Sequence, residues 1–102
     1  MESINVDKVI DEVVANLTLA NLTTIDARQA AMNAEQYLKS SVINVTNILL
    51  EESKLTDDEQ FWFITLSYNE LFTGRIMLSK IFKVFKIRRD NGEVIAMEIR
   101  KV

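Results

Sequence analysis

Between residues 24 and 40 the small apolar positions Ala27, Ala30, Ala31 and Ala34, followed by Leu38, recur at steps of three and four. That spacing puts them on one face of a helix. The face is nearly all alanine, so the helix can lie very close to whatever it packs on. A β-sheet is the natural partner, because a sheet offers a broad apolar surface. Thr23 or Thr24 is the expected N-cap, with Asp26 three residues on in a weaker form of the capping box. Ser40 and Ser41 are expected to end the helix.

The chain after this helix supplies the strands. Residues 42–50 (VINVTNILL) are rich in β-branched side chains. Residues 61–69 (FWFITLSYN) alternate, so Trp62, Ile64, Leu66 and Tyr68 point one way and are expected to meet the alanine face. Residues 76–89 read as one long strand, and residues 93–102 return from it with Ile95, Met97 and Ile99 on one side. Asp90, Asn91 and Gly92 mark a tight hairpin between these two. The acidic stretch 51–60 reads as a solvated turn, and residues 70–75, with Gly74, as a loop. At the N-terminus Val6, Val9, Ile10, Val13 and Leu17 give residues 5–20 a second amphipathic helical pattern.

A chain of 102 residues has room for one domain. The order helix, helix, four strands gives an α+β fold. Its two N-terminal helices (5–20 and 24–40) pack on one face of a four-stranded antiparallel meander (42–50, 61–69, 76–89, 93–102) in a two-layer sandwich. At 48% hydrophobic the chain is too apolar to stay disordered.

The segment 24–102 resembles the PepSY-like group of small domains. The resemblance lies in the alanine-rich helix (DARQAAMNAEQYL), the aromatic strand (FWFITLSY) and the strand–turn–strand ending (IFKVFKIRRDNGEVIAMEI). Asp90, Gly92, Glu93 and Val94 match that group's Asp-x-x-Gly-Glu-Val turn with an Asp–Gly gap one residue shorter. The resemblance implies a non-catalytic module that inhibits, chaperones or binds a partner, often at a cell envelope. It brings no catalytic residue with it.

The residues themselves point the same way. Histidine, cysteine and proline are absent. The commonest general base, the thiol nucleophile and the usual transition-metal ligands go with them. Gly74 and Gly92 are the only glycines, so no glycine-rich phosphate loop exists. No cofactor motif is present, and the expectation is a chain that is not an enzyme. Glu2 and Asp7 stand where a secretory leader would be basic, and no run approaches the roughly 20 apolar residues of a membrane span. A cytoplasmic location is therefore expected.

Three surfaces are candidate sites. If Trp62 and its period-two partners face the helices, Phe61 and Phe63 face away, and Phe82 and Val84 from the next strand join them if Ile81, Phe85 and Ile87 take the helix side, a choice the sequence leaves open. Such an apolar patch marks an association surface for a protein partner or a second copy of the chain. The alternative is that helix 5–20 covers it. The second surface is the basic hairpin, Lys80, Lys86, Arg88 and Arg89. Basic residues interleaved with aromatics can bind single-stranded nucleic acid. A net charge of −3 argues against that use, and edge-strand protection by lysine is the plainer reading. The third is a small-molecule pocket between helix and sheet, lined by Trp62, Leu66 and Tyr68. Charge is unevenly placed: residues 1–74 carry four basic and twelve acidic side chains, residues 75–102 eight basic and three acidic. The run Glu51, Glu52, Asp57, Asp58, Glu59 lacks the spacing of a calcium loop. It could instead face a basic partner, as a small acidic inhibitor would.

Overall fold

The computed structural model describes residues 24–100. The helical pattern at 5–20 lies outside the described residues, so whether it covers a face of the sheet is not addressed by them. One helix, α1 (Ala27–Ser41), precedes the strands β1 (Val45–Leu55), β2 (Phe61–Phe72), β3 (Arg75–Ile76), β4 (Ile81–Arg88) and β5 (Val94–Ile99). The sheet order is β1-β2-β4-β5, every pairing is antiparallel, and β3 pairs with the end of β2. This corrects the expected two helices on four strands. Among the described residues, one helix lies on a five-stranded antiparallel sheet in a mostly β arrangement that is still α+β in kind.

The fifth strand comes from residues expected to form a loop. β2 runs on to Phe72 and turns through Thr73 and Gly74, whose φ angles are 49° and 79°. Positive φ at both central residues is the turn geometry that matches the twist of a two-residue hairpin. Arg75 and Ile76 then pair back against Phe72 and Leu71. Residues 77–80 leave the ladder, so the expected strand 76–89 is split into β3 and β4. The side chain of Asn69 fills the interruption. Its amide Nδ2 donates to the Met77 carbonyl at 2.9 Å, while the Met77 N–H donates to the Glu70 carbonyl at 2.7 Å.

The other differences also have local causes. Asp26 caps α1, its carboxylate accepting the Gln29 N–H at 2.8 Å. A short charged side chain does this well, because it also favours the positive end of the helix dipole. β1 starts later and ends later than residues 42–50. Asn44 and Asn47 sit at positive φ, which asparagine tolerates, and one extra residue enters the strand twice, between Thr46 and Leu49 and between Leu50 and Glu52. Glu51 and Glu52 thus lie in a strand, and the β1–β2 turn shrinks to residues 56–60. In β5, Ile87 pairs with Val94 and Lys86 with Ala96, so Ile95 is bulged out of register. Val94 takes its place beside Met97 against the core.

The core is where the alanine face meets the sheet. Ala30, Ala34 and Leu38 are buried against Ile64, Leu66 and Tyr68 of β2 and Phe85 and Ile87 of β4. The Tyr37 ring meets Phe85 edge-on at 6.3 Å. Two polar ties fix the approach. Trp62 Nε1 donates to the Ile25 carbonyl at 2.9 Å, and Asn33 Nδ2 donates to the Gly92 carbonyl at 3.0 Å. Gly92 has φ +78°, and a Cβ there would stand 2.6 Å from Asn33 Nδ2, so helix and turn approach this closely only over glycine.

Two expected outcomes follow from this packing. Ala34→Leu overfills a site with no spare volume and should cost about 1–3 kcal/mol, read as a lower urea midpoint with an unchanged slope. Asn69→Ala strips the Met77 carbonyl of its side-chain donor and should cost about 1–3 kcal/mol in the same measurement.

Candidate functional site

Because side chains alternate along β2, the residues between the core positions project from the face turned away from α1. They are Phe61, Phe63, Thr65, Ser67 and Asn69. Register across the sheet sorts this face into rows. Phe61 lies opposite Arg88. Lys54, Phe63, Lys86 and Ala96 form the next row. Glu52, Thr65, Val84 and Glu98 form the third, and Leu49, Ser67 and Phe82 the fourth. The structure thus brings Phe61, Phe63, Phe82 and Val84 onto one face. All four are partly exposed. Phe61 and Phe63 stand together at one end, with Val84 one row beyond Phe63 and Phe82 a further row on.

Among the described residues Phe63 lines three shallow grooves, two of which matter here. One, of about 300 Å³, is lined by Glu52, Lys54, Phe63, Thr65, Val84 and Arg100. The other, of about 330 Å³, is lined by Thr56, Asp57, Asp58, Phe61, Phe63 and Lys86. Phe61 and Phe63 supply their aromatic lining, and Glu52, Lys54, Asp57, Asp58, Lys86 and Arg100 the charged lining around it.

The basic residues are engaged within the chain. The Lys86 ammonium stands 4.4 Å from the centre of the Phe61 ring and 5.9 Å from that of Phe63. A cation over a ring face is attracted by its quadrupole. Arg88 pairs with Asp90 at 2.7 Å, Arg89 with Glu59 at 3.5 Å, and Lys80 with Glu51 at 3.6 Å. The basic hairpin is therefore four separate contacts and not one cationic stripe. Its arginine–carboxylate pair holds the Asp90 carboxyl below the ordinary range.

The acidic run divides likewise. Glu52 pairs with Arg100 at 3.1 Å, and Glu51 accepts the Ser67 hydroxyl at 2.6 Å. Asp58 closes the β1–β2 turn by accepting from the Thr56 hydroxyl at 2.7 Å and the Gln60 N–H at 3.0 Å, which also lowers its carboxyl below the ordinary range. Among the described residues no group of three or more acids could hold a metal ion.

Leu66 and Tyr68, two of the three residues named for a helix–sheet pocket, are core residues, and Trp62 packs against them while bonding Ile25. Burial raises the Tyr68 phenol above its ordinary range, with Glu70 adding to the shift, so it stays neutral at physiological pH. None of the grooves described above touches these three. Sequence reasoning passed over Asn69 and Ser67, which looked like ordinary strand residues. Their only signal is that, with Thr65, they are polar residues alternating with the hydrophobic Ile64, Leu66 and Tyr68 of β2.

No protein-family model, curated protein or solved structure matches the chain. Among the described residues no helix is long and apolar enough to cross a membrane.

The Glu51 contact gives a pH prediction. The Ser67 hydroxyl first, and Lys80 and Arg100 after it, hold the Glu51 carboxyl below its ordinary value near 4.5, against the opposing effect of partial burial. A depressed folded value means the contribution is present above pH 4.5 and is lost as pH falls through the lowered value. Ser67→Ala should move the Glu51 titration, followed by carboxyl NMR, up toward 4.5. The stability gap between the two chains should narrow on acidification.

Proposed function

We propose that the chain is a non-catalytic protein-interaction module that docks its partner on the sheet face turned away from α1. The observation that carries this reading is the set Phe61, Phe63, Phe82 and Val84, held in register on that face beside two grooves that share Phe63. Aromatic side chains in shallow grooves ringed by charge are the usual anchors of protein interfaces. The PepSY-like pattern over residues 24–102 implies the same kind of role. An acidic inhibitor acting through residues 51–59 has less support, since Glu51 and Glu52 are tied to Lys80 and Arg100. A pocket lined by Trp62, Leu66 and Tyr68 has none, because Leu66 and Tyr68 are core residues, and the groove of about 540 Å³ between α1 and β5 is lined instead by Asn33, Gln36, Tyr37, Ser40, Gly92, Glu93 and Val94.

The test is retention of a stoichiometric partner, or of a second copy, by the tagged chain through a high-salt wash. Loss of an aromatic anchor typically costs about 2 kcal/mol or more of binding. A Phe61→Ser, Phe63→Ser double variant that keeps its circular dichroism spectrum should therefore lose the partner. Retention undiminished by the double substitution would show that the interface lies elsewhere.

A further inference from the structure

The opposite end of β2 carries a second apolar cluster, separate from the face just described. Leu78 is 91% exposed, Ile43 79% and Phe72 64%, and Ile76 and Met77 are each about half exposed. None of the five belongs to the core or packs against it. Ile43, Leu71, Phe72 and Met77 border an open concavity of about 500 Å³, together with Glu70. Burial within the described fold accounts for none of this exposure, and contiguous exposed apolar surface marks an interaction site.

The backbone is built to project these side chains. The turn at Thr73 and Gly74 narrows the β2–β3 hairpin to a tip, and Thr73 holds a positive φ that β-branched residues rarely adopt. Just beyond it, residues 77–80 leave the ladder while Asn69 Nδ2 grips the Met77 carbonyl at 2.9 Å and lies 3.3 Å from that of Leu78. The Leu78 side chain is left with almost no neighbours. Charge is distinctive as well. Residues 71–80 (LFTGRIMLSK) contain Arg75 and Lys80 and no acid, in a chain of net charge −3. The acids nearby are Glu70, at the rim of the concavity, and Glu51, 3.6 Å from Lys80.

We propose that this tip is a peripheral membrane-binding element. Phe72, Ile76, Met77 and Leu78 enter the interfacial layer of an anionic bilayer, with Arg75 and Lys80 at the level of the headgroups. A projecting apolar tip needs no shaped pocket in a fluid interface, and flanking cations with long aliphatic stems reach the headgroups while their stems stay apolar. Depth is limited. The ladder is broken at residues 77–80, and free backbone polar groups cannot go into hydrocarbon, so the tip stays in the interface and does not span. The sheet face around Phe61 and Phe63 remains clear for a partner.

The experiment is co-sedimentation of the full chain with phosphatidylcholine vesicles, with and without phosphatidylserine. Sedimentation is expected with phosphatidylserine and much less without it. Leu78→Ser, at a side chain with almost no contacts to lose, should weaken it, and Phe72→Ser with Leu78→Ser should abolish it. Arg75→Gln should reduce partitioning about fivefold. The Phe61→Ser, Phe63→Ser variant should sediment like the wild type, which separates this surface from the protein-docking face. The proposal is overturned by no sedimentation at low salt, or by sedimentation indifferent to the tip substitutions. It is equally overturned if the Phe61 and Phe63 substitutions abolish sedimentation. A change in solution mass on substituting the tip, without vesicle binding, would make the tip a protein contact instead.

Discussion

The contact between the alanine face of α1 and β2 is the constraint on which the rest depends. Ala30 and Ala34 have no side chain beyond Cβ, so the helix settles against Ile64, Leu66 and Tyr68 with no space between. That contact decides which face of the sheet is core. Since strand side chains alternate, it decides at once that Phe61, Phe63, Thr65 and Ser67 point the other way. The ties at Trp62 and at Asn33 to Gly92 hold the helix in this position from both sides. A one-residue slip of β2 would bring Phe61 and Phe63 to the helix and send Ile64 and Leu66 out. The buried core makes that slip costly.

β2 organises everything else because it has a neighbour on each side for nearly its whole length. β1 pairs along one edge, and β4 then β3 along the other. The junction between β4 and β3 is where regular pairing fails, and a single amide side chain replaces the missing ladder bonds there. Asn69 reaches three carbonyls, with Met77 the nearest. Polar residues buried in a strand are usually kept for such contacts, since an unpaired buried polar group is expensive. The same junction throws Leu78 outward. The irregularity and the exposed apolar tip are thus one structural event.

The two proposed surfaces differ in physics. On the face around Phe63 the charges already have partners: Lys86 lies over two rings, Glu52 pairs with Arg100, and Glu51 with Ser67 and Lys80. Exposed pairs of this kind contribute little stability, but they limit the charge left over for long-range attraction. Binding there depends on the aromatic lining. At the tip, residues 71–80 pair apolar exposure with Arg75 and Lys80 and contain no acid, and although Lys80 lies 3.6 Å from Glu51, Arg75 carries charge in the same direction as apolar transfer. The unevenness of charge along the chain, acidic through residue 74 and basic after it, is partly spent on pairs across the sheet and partly concentrated at this tip.

How much was legible follows from how local each signal is. The alternation of Trp62, Ile64, Leu66 and Tyr68 and the repeat of alanines are set by backbone periodicity, so the sequence alone determined the helix, the central strand and the face that each buries. It likewise set the two-sided character of β2 and so the exposure of Phe61 and Phe63 away from the helix. Strand ends, bulges and the fifth strand depended on pairing partners distant in sequence. Glu51 and Glu52 read as loop because they are charged, yet an edge strand tolerates charge when its neighbour supplies the ladder. Ile95 read onto one side with Met97 and Ile99 because it fits a period of two, but one bulge puts Val94 beside Met97 instead. The role of Asn69 required knowing that residues 77–80 would leave the sheet beside it. Periodicity is a property of the chain, whereas register and the satisfaction of buried polar groups are properties of two segments meeting, and only the tertiary structure brings them together.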